Sequence, residues 1–377
     1  MTDQTHKTSP DGRKTVGGPL TGLRIVEFAG IGPVPFAGML LSDMGADIVC
    51  IERVGATSDP ADIVGRGRSR IAVDLKDAVG VEKVSALCDQ ADVVLEGFRP
   101  GVMERLGLGP EKLCARNTKL VYGRMTGWGQ SGPLAAAAGH DINYIALSGA
   151  LAAIGPAEGP PVVPLNLVGD YGGGALYLVV GVLAALLEAQ KSGQGQVVDA
   201  AMCDGAVSLM SIFYSLLAKG KWKTARMSNI IDGAAPFYGT YECADNKFVA
   251  VGAQESQFYE LLVRGTELEG LDLSAQNNEA AWPALTKRFA AIFKTRTQDE
   301  WVSIFEGKDA CFTPILTMDE APLHPHFIAR DTFVTMQGVV QPAPAPRFSR
   351  TESRAGFASE NPITDIDRQL SEWSIGT

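Results

Sequence analysis

Between Arg24 and Tyr122 short apolar runs of strand character alternate with stretches of helical period, and no other feature restricts the fold as strongly. Arg24–Phe28 reads as a strand and Gly30 to Pro35 breaks it. Phe36, Met39, Leu40 and Met44 then recur at helical spacing before a second strand at Asp47–Ile51. A further helix around Val79, Val84 and Leu87 leads to the strand Asp92–Leu95, and Lys119–Tyr122 follows as another. Strands joined through helices lie parallel, because each helix carries the chain back across the face of the sheet. The fold class is therefore α/β, with a Rossmann-like parallel-sheet large domain. Two more helices flank a Gly- and Pro-rich stretch, one starting near Asp141 and one running from Ala175 to about Lys191, where Gly193 and Gly195 end it.

A chain of 377 residues exceeds one ordinary core, which predicts two domains. Lys219 to Gly233 is irregular and charged, as linkers are. Beyond it Tyr238–Cys243 and Phe248–Val251 alternate like two strands joined by Ala-Asp-Asn-Lys, and helices are expected over Phe258–Arg264 and Ala280–Phe293. The expected organisation is a lead-in over 1–18, a large domain over 19–218 with 330–377, a linker over 219–233, and a smaller α+β domain over 234–329. Gln341 to Pro346 reads as an extended proline-rich connector, and the tail after it carries little pattern.

Several functional classes are disfavoured at this level. A net charge of −10 argues against nucleic acid as a partner. Met1 to Gly18 is polar and lacks the apolar segment of a secretory signal. The longest apolar run, Ala175–Leu187, is shorter than the ~20 residues that span a bilayer. A buried helix, no membrane partner and a cytoplasmic location are the expectations. The six cysteines, at 50, 88, 114, 203, 243 and 311, include no CxxC, so neither a disulfide framework nor a metal site is expected.

The first β-α-β unit invites a dinucleotide reading, with Glu52 where a ribose-binding acid would stand. The spacing Gly30-Ile-Gly32-Pro33-Val-Pro35 opposes it, because Pro33 takes the place of the small residue that lets helix and strand approach. Arg53, Arg66, Arg68, Arg70, Arg99 and Arg105 crowd the same region. Any one of them is ordinarily a solvated surface charge, but six together favour a bound polyanion. Of four histidines, His6 lies in the lead-in and His324 and His326 flank a proline, which leaves His140 for proton work near neutral pH. Asp170 precedes Gly172, Gly173 and Gly174 at the start of an apolar helix, where a plain N-cap is the equal alternative. Glu255, after a strand of the small domain, reads as a first-turn helix acid or a further site residue.

In chain order the sequence contains Gly22-Leu-Arg-Ile-Val-Glu27, Met44-Gly-Ala-Asp47 with Glu52-Arg53, and Phe98-Arg-Pro-Gly-Val102. Thr126-Gly-Trp-Gly-Gln130, Gly139-His-Asp-Ile-Asn-Tyr144, Gly169-Asp-Tyr-Gly-Gly-Gly174 and Ala345-Pro-Arg-Phe-Ser349 follow. Together these resemble the family III coenzyme A transferases, and among them the α-methylacyl-CoA racemases. The Asn and Lys that many members carry ahead of Asp74-Leu75-Lys76 are arginines here. The resemblance implies an acyl-CoA thioester as partner, gripped by Arg53, Leu75, Lys76, Arg99 and Arg105, with coenzyme A part of the substrate and no separate cofactor. It also implies an interlocked homodimer, through which Glu255 would come to His140. Transferases of the family use the aspartate matching Asp170 as a nucleophile; the Gly139-His140-Asp141 form is that of the racemases.

The mechanism so implied takes the proton α to a thioester from one face and returns one on the other. Neutral His140, oriented by Glu255, is the base toward the S epimer, and a protonated Asp170 donates on the opposite face. A carboxylic acid that keeps its proton near neutral pH must be desolvated, so Asp170 is expected to be buried. The backbone N–H of Asp141 is the candidate donor to the enolate oxygen. Met202, Met210 and Phe213 are candidates to receive the acyl tail, with core packing as the alternative for each. The competing functions are a transferase acting through Asp170, a non-catalytic acyl-CoA binder, and a nicotinamide oxidoreductase.

Overall fold

The structure, a computed structural model, describes residues 17–57, 59, 61–268, 270–356 and 365–375. These divide into two compact units: residues up to Ser148 with Leu165–Leu209 and those from Pro325 on, and Gly149–Pro164 with Met210–His324. The first unit opens with β1 (Arg24–Phe28), α1 (Pro33–Asp43), β2 (Asp47–Glu52), β3 (Arg68–Ala72), α2 (Ala78–Cys88) and β4 (Val93–Glu96). It continues with α3 (Val102–Arg105), α4 (Pro110–Arg116), β5 (Val121–Thr126) and α5 (Asp141–Leu147). A π-helical segment, Leu167–Ala175, then runs into α6 (Leu176–Ser192), followed by β6 (Val197–Ala201) and α7 (Met202–Leu209). The second unit holds α8 (Ser211–Ala218), β7 (Tyr238–Glu242), β8 (Phe248–Gly252), α9 (Ser256–Gly265), α10 (Trp282–Phe293), α11 (Gln298–Phe305) and β9 (Phe312–Ile315). The chain returns to the first unit with α12 (Pro325–Ala329), β10 (Phe333–Met336), β11 (Val339–Pro342) and α13 (Ile366–Ser374).

The large sheet is parallel throughout, in the order β3-β2-β1-β4-β5-β6. Successive strand residues point to opposite faces, and both faces are covered. Ile25, Ile48, Leu95 and Val121 pack with residues of α1 and α6, while Val26, Val49, Val94 and Tyr122 pack with residues of α2 and α13. β1, β2 and β4 are therefore nearly continuous apolar runs rather than alternating ones.

The arginines of β3 and its approach correct the polyanion reading. Arg66 is 1% exposed and grips Asp43 through Nε at 3.0 Å and Nη2 at 2.5 Å, while its Nη1 donates to Gln341 Oε1 and the Pro342 carbonyl, each at 2.8 Å. Arg68, also buried, pairs with Glu27 at 2.7 Å and donates to the carbonyls of Val64 and Pro35. Arg70 is bidentate on Glu52 at 2.7 and 2.6 Å. Burial of a charge requires a partner of opposite sign, and these three have theirs.

The helix expected from Ala175 begins earlier, at Leu167, so Asp170 lies inside it rather than capping it. Leu167–Ser192 is, by length and composition alone, long and apolar enough to cross a membrane, which the shorter run counted in the sequence was not. The widened turn is accommodated by glycine. A Cβ on Gly205 of α7 would fall 1.8 Å from the Gly173 carbonyl oxygen, and one on Gly173 would fall 2.6 Å from the Ala206 nitrogen. Backbone therefore packs directly on backbone where the Asp170 segment meets α7.

The second unit has an antiparallel sheet in the order β7-β8-β9 over an aromatic core, in which Phe293 stacks on Tyr241 at 5.0 Å and meets Trp301 edge-on at 5.1 Å between centroids. The expected linker over 219–233 belongs to this unit, as do 149–164 and 210–218 of the expected large domain. The reason is local bonding. Asn229 accepts from the Lys223 N–H and donates to its carbonyl, both at 2.9 Å, and Arg226 donates to the carbonyls of Pro156 and Gly159. Of the expected lead-in, residues 1–16 lie outside the described residues. Gly18 is packed, since a Cβ there would meet the Met44 carbonyl at 2.1 Å. Of the connector expected over Gln341 to Pro346, Gln341 and Pro342 instead end a hairpin turned by Gln337 and Gly338 at φ 51° and 78°, and the rest lies outside any strand. The patternless tail holds α13, whose Trp373 donates to Asp47 Oδ2 at 2.7 Å.

Candidate active site

In a parallel sheet of this order α1 leaves β1 for β2 on one side while β4 lies on the other, so a crevice opens at the carboxyl ends of β1 and β4. The residues expected to grip coenzyme A stand at that end. Arg53 follows β2, Leu75 and Lys76 follow β3, and Arg99 and Arg105 follow β4. Arg53, Lys76, Arg99 and Arg105 are exposed, and Leu75 is half-buried against the core. The arrangement suits a long anionic ligand lying across several strand ends.

The loop after β5 leads to α5. Tyr144, buried in that helix, donates its hydroxyl to the Gly139 carbonyl at 2.5 Å and meets Trp128 edge-on at 4.8 Å. Gly127 and Gly139 lie so close to its ring that neither has room for a Cβ. The loop is thus tied down one residue before His140. His140 takes the N-cap position with extended backbone, its N–H donating to Asn143 Oδ1 at 3.0 Å, and its side chain is exposed. The N–H of Asp141 follows in the first turn, where a helix offers no internal acceptor.

Asp170 stands on the π-helical turn, half-buried. Asn166 Nδ2 donates to its Oδ2 at 3.1 Å, and the loop before α1 approaches from the other side, where a Cβ on Gly32 would lie 3.1 Å from the same oxygen. Its carboxyl is raised above the usual range, chiefly by burial and further by the charge of Asp141, against the Asn166 hydrogen bond and the charge of His140. His140, Asp141 and Asp170 are thereby in mutual electrostatic range, while Arg99 and Asp170 both act on Tyr144. The Asp141 carboxylate accepts from the N–H groups of Gly169 and Asp170.

Glu255 belongs to the second unit. It is the exposed N-cap residue of α9 and its side chain makes no capping bond. Met202 is a core residue, 7% exposed, packed against Gly174 of the Asp170 segment, and Phe213 lies in the second unit edge-on to Trp222. Met210, half-buried, opens the longer of the second unit's two stretches. A largely apolar cavity of about 270 Å³, bounded by Trp128, Pro133, Leu134, Leu147 and Val207 with Ser131, Ser148 and Asp204 also on its wall, has no counterpart in the sequence reading. Asn143, Tyr144 and Asn166 were also missed, and only their spacing from His140 and Asp170 could have pointed to them.

Chemically, the arrangement offers an imidazole, a carboxyl biased toward its protonated form and a first-turn N–H, all near one sheet edge. The chain is 48% identical to the mouse α-methylacyl-CoA racemase over 333 residues, covering 88% of this chain and 87% of that protein. It is 42% identical to the human α-methylacyl-CoA racemase over 354 residues, 94% and 92% of the two. The crystal structure of a CAIB/BAIF family protein from Brucella suis superposes with a TM-score of 0.80 at 26% identity, covering 95% of this chain and all of the other. The family model for CoA-transferase family III matches residues 20–367, and the chain belongs to that family.

Proposed function

We propose that the protein is a racemase that interconverts the R and S epimers of 2-methylacyl-CoA thioesters by 1,1-proton transfer through an enolate. The observation that carries this reading is Asp170: a carboxyl pushed upward by burial, within electrostatic range of a histidine at a helix start. His140 takes the proton from the S epimer and Asp170 delivers one to the opposite face; the return reaction exchanges the roles. The Asp141 N–H holds the enolate oxygen. The acyl tail enters the cavity beside Trp128, and Arg53, Leu75, Lys76, Arg99 and Arg105 take the nucleotide end. Coenzyme A comes with the substrate, and the chemistry needs neither redox cofactor nor metal.

The test is to incubate an (S)-2-methylacyl-CoA with the protein in heavy water without any acceptor acid. Epimerisation together with α-deuterium uptake is expected. Absence of uptake, with an acyl-enzyme trapped by hydroxylamine, would instead identify a transferase acting through Asp170.

The working form is proposed to be a homodimer, with Glu255 of the partner chain orienting the imidazole of His140. What supports a dimer is an uncovered apolar stripe on α6, where Leu176, Val180 and Leu187 are 46%, 65% and 59% exposed. Light scattering that returned the mass of one chain would remove this part of the reading.

A further inference from the structure

We propose that the Asp141 side chain is a positioning residue, which clamps the π-helical turn so that Asp170 faces the same substrate carbon as His140. This rests on the racemase reading but concerns an atom group that reading does not use, since only the backbone N–H of Asp141 enters it.

The first N–H groups of any helix lack internal acceptors and are ordinarily satisfied by the residue just ahead of it. Here that residue is Asn166, whose side chain makes no capping bond and whose amide nitrogen donates instead to the Asp170 carboxyl. The substitute comes from another helix, 28 residues upstream. Asp141 Oδ2 accepts from Gly169 N at 2.6 Å and from Asp170 N at 2.8 Å. The fit is close enough to require glycine at 169, where a Cβ would stand 2.5 Å from that oxygen. A single carboxylate oxygen thus ties the residue after His140 to the backbone of Asp170 itself.

The other oxygen, Oδ1, is buried and has no hydrogen-bond partner among the described residues, in a side chain 6% exposed. A clamp alone needs no such half-satisfied charge, because an amide oxygen accepts the same two bonds; burying an unpaired carboxylate oxygen is costly. The charge therefore has a second use. The groups that face Asp170 are few. Among the described residues, His140 and Asp141 of α5 and Asn166 of its own helix act on it, the Gly32 backbone lies beside it, and α7, packed on the same turn, carries Cys203 and Asp204. After burial, the Asp141 charge is the other cause that raises the Asp170 carboxyl, and it favours the protonated donor.

The experiment compares the wild-type protein with Asp141→Asn and Gly169→Ala. The first keeps the acceptor oxygen and removes the charge; the second keeps every charge and displaces the carboxylate. Rates of α-deuterium uptake from the R and S epimers are followed against pH. In Asp141→Asn the limb that reports loss of the Asp170 proton should move down by roughly one pH unit, with KM little changed. Gly169→Ala should lower kcat at least tenfold. An unmoved limb in the first and kcat within twofold in the second overturn the proposal. A ¹³C NMR titration of Asp170 keeps it separable from the function. If the wild-type protein exchanges no α-proton, the racemase reading fails. The clamp then stands or falls on whether the Asp170 carboxyl titrates lower in Asp141→Asn.

Discussion

Replacing His140 with alanine is expected to abolish epimerisation, a loss of ~10²–10⁴-fold, while leaving a one-sided exchange of α-protons. If His140 serves the S face and Asp170 the R face, the variant has no base for the S epimer, which should stay unlabelled in heavy water. The R epimer still presents its proton to Asp170. That carboxylate removes it and returns deuterium to the same face, so R substrate becomes labelled without inversion. The fold should survive, because the imidazole is exposed and the helix start is held through the backbone N–H of residue 140 and Asn143. Asp170→Asn should give the mirror result, labelling S and leaving R inert. Chiral separation of the products with mass detection reads both. Labelling of both epimers at the wild-type rate would remove His140 from the mechanism.

The largest effect on stability is expected at Arg66. Its side chain is 1% exposed and serves Asp43, Gln341 and the Pro342 carbonyl together. Arg66→Met would leave Asp43 buried without its cation, a loss of about 3–5 kcal/mol. Against a total of ~5–15 kcal/mol for a folded domain that is a large share. The loss should depend on pH with a definite sign. Burial already raises the Asp43 carboxyl above its usual range, and the Arg66 contacts are the main effects that lower it. Without them the folded-state value rises further. A group that binds its proton more tightly when folded gives its full contribution below the unfolded pKa and loses it as pH rises through the folded value. Urea unfolding should therefore show Arg66→Met closest to wild type in acid and furthest from it above neutrality. Adding Asp43→Leu should recover most of the deficit by removing the stranded charge. A pH-independent difference, or no recovery in the double variant, would count against this account.

Where the sequence was legible, a side chain's fate depended on its neighbours in the chain. The runs at Arg24–Phe28, Asp47–Glu52 and Val93–Glu96 are apolar because both faces of a parallel sheet are covered, and such runs can be read locally. β3 was not recognised as a strand. Its Arg68 and Arg70 look like surface charge until Glu27 and Glu52 are placed beside them. α13 and the β10–β11 hairpin were passed over for the same reason, since their anchors, Asp47 and Arg66, lie some three hundred positions away on the order of the chain length itself. At the site, His140 and Asp170 stood out by scarcity and by the glycines beside them. The widened helical turn beneath Asp170 left no local signature. Its requirement for glycine at 173 comes from α7, and at 169 from Asp141.

The bond from Arg66 to Gln341, spanning 275 residues, also sets an order of events during synthesis. A chain leaving the ribosome can pair β1, β2 and β3 early, yet the guanidinium between them stays short of two acceptors until the final hairpin emerges. Trp373 reaches Asp47 later still. The second unit, continuous from Met210 to His324 apart from one earlier loop, is therefore free to condense while the first is still open. The opening third of the polypeptide waits longest for its last partners, and a ribosome that stalls before residue 341 releases a product in which Arg66, the most deeply buried cation among the described residues, is incompletely solvated by protein.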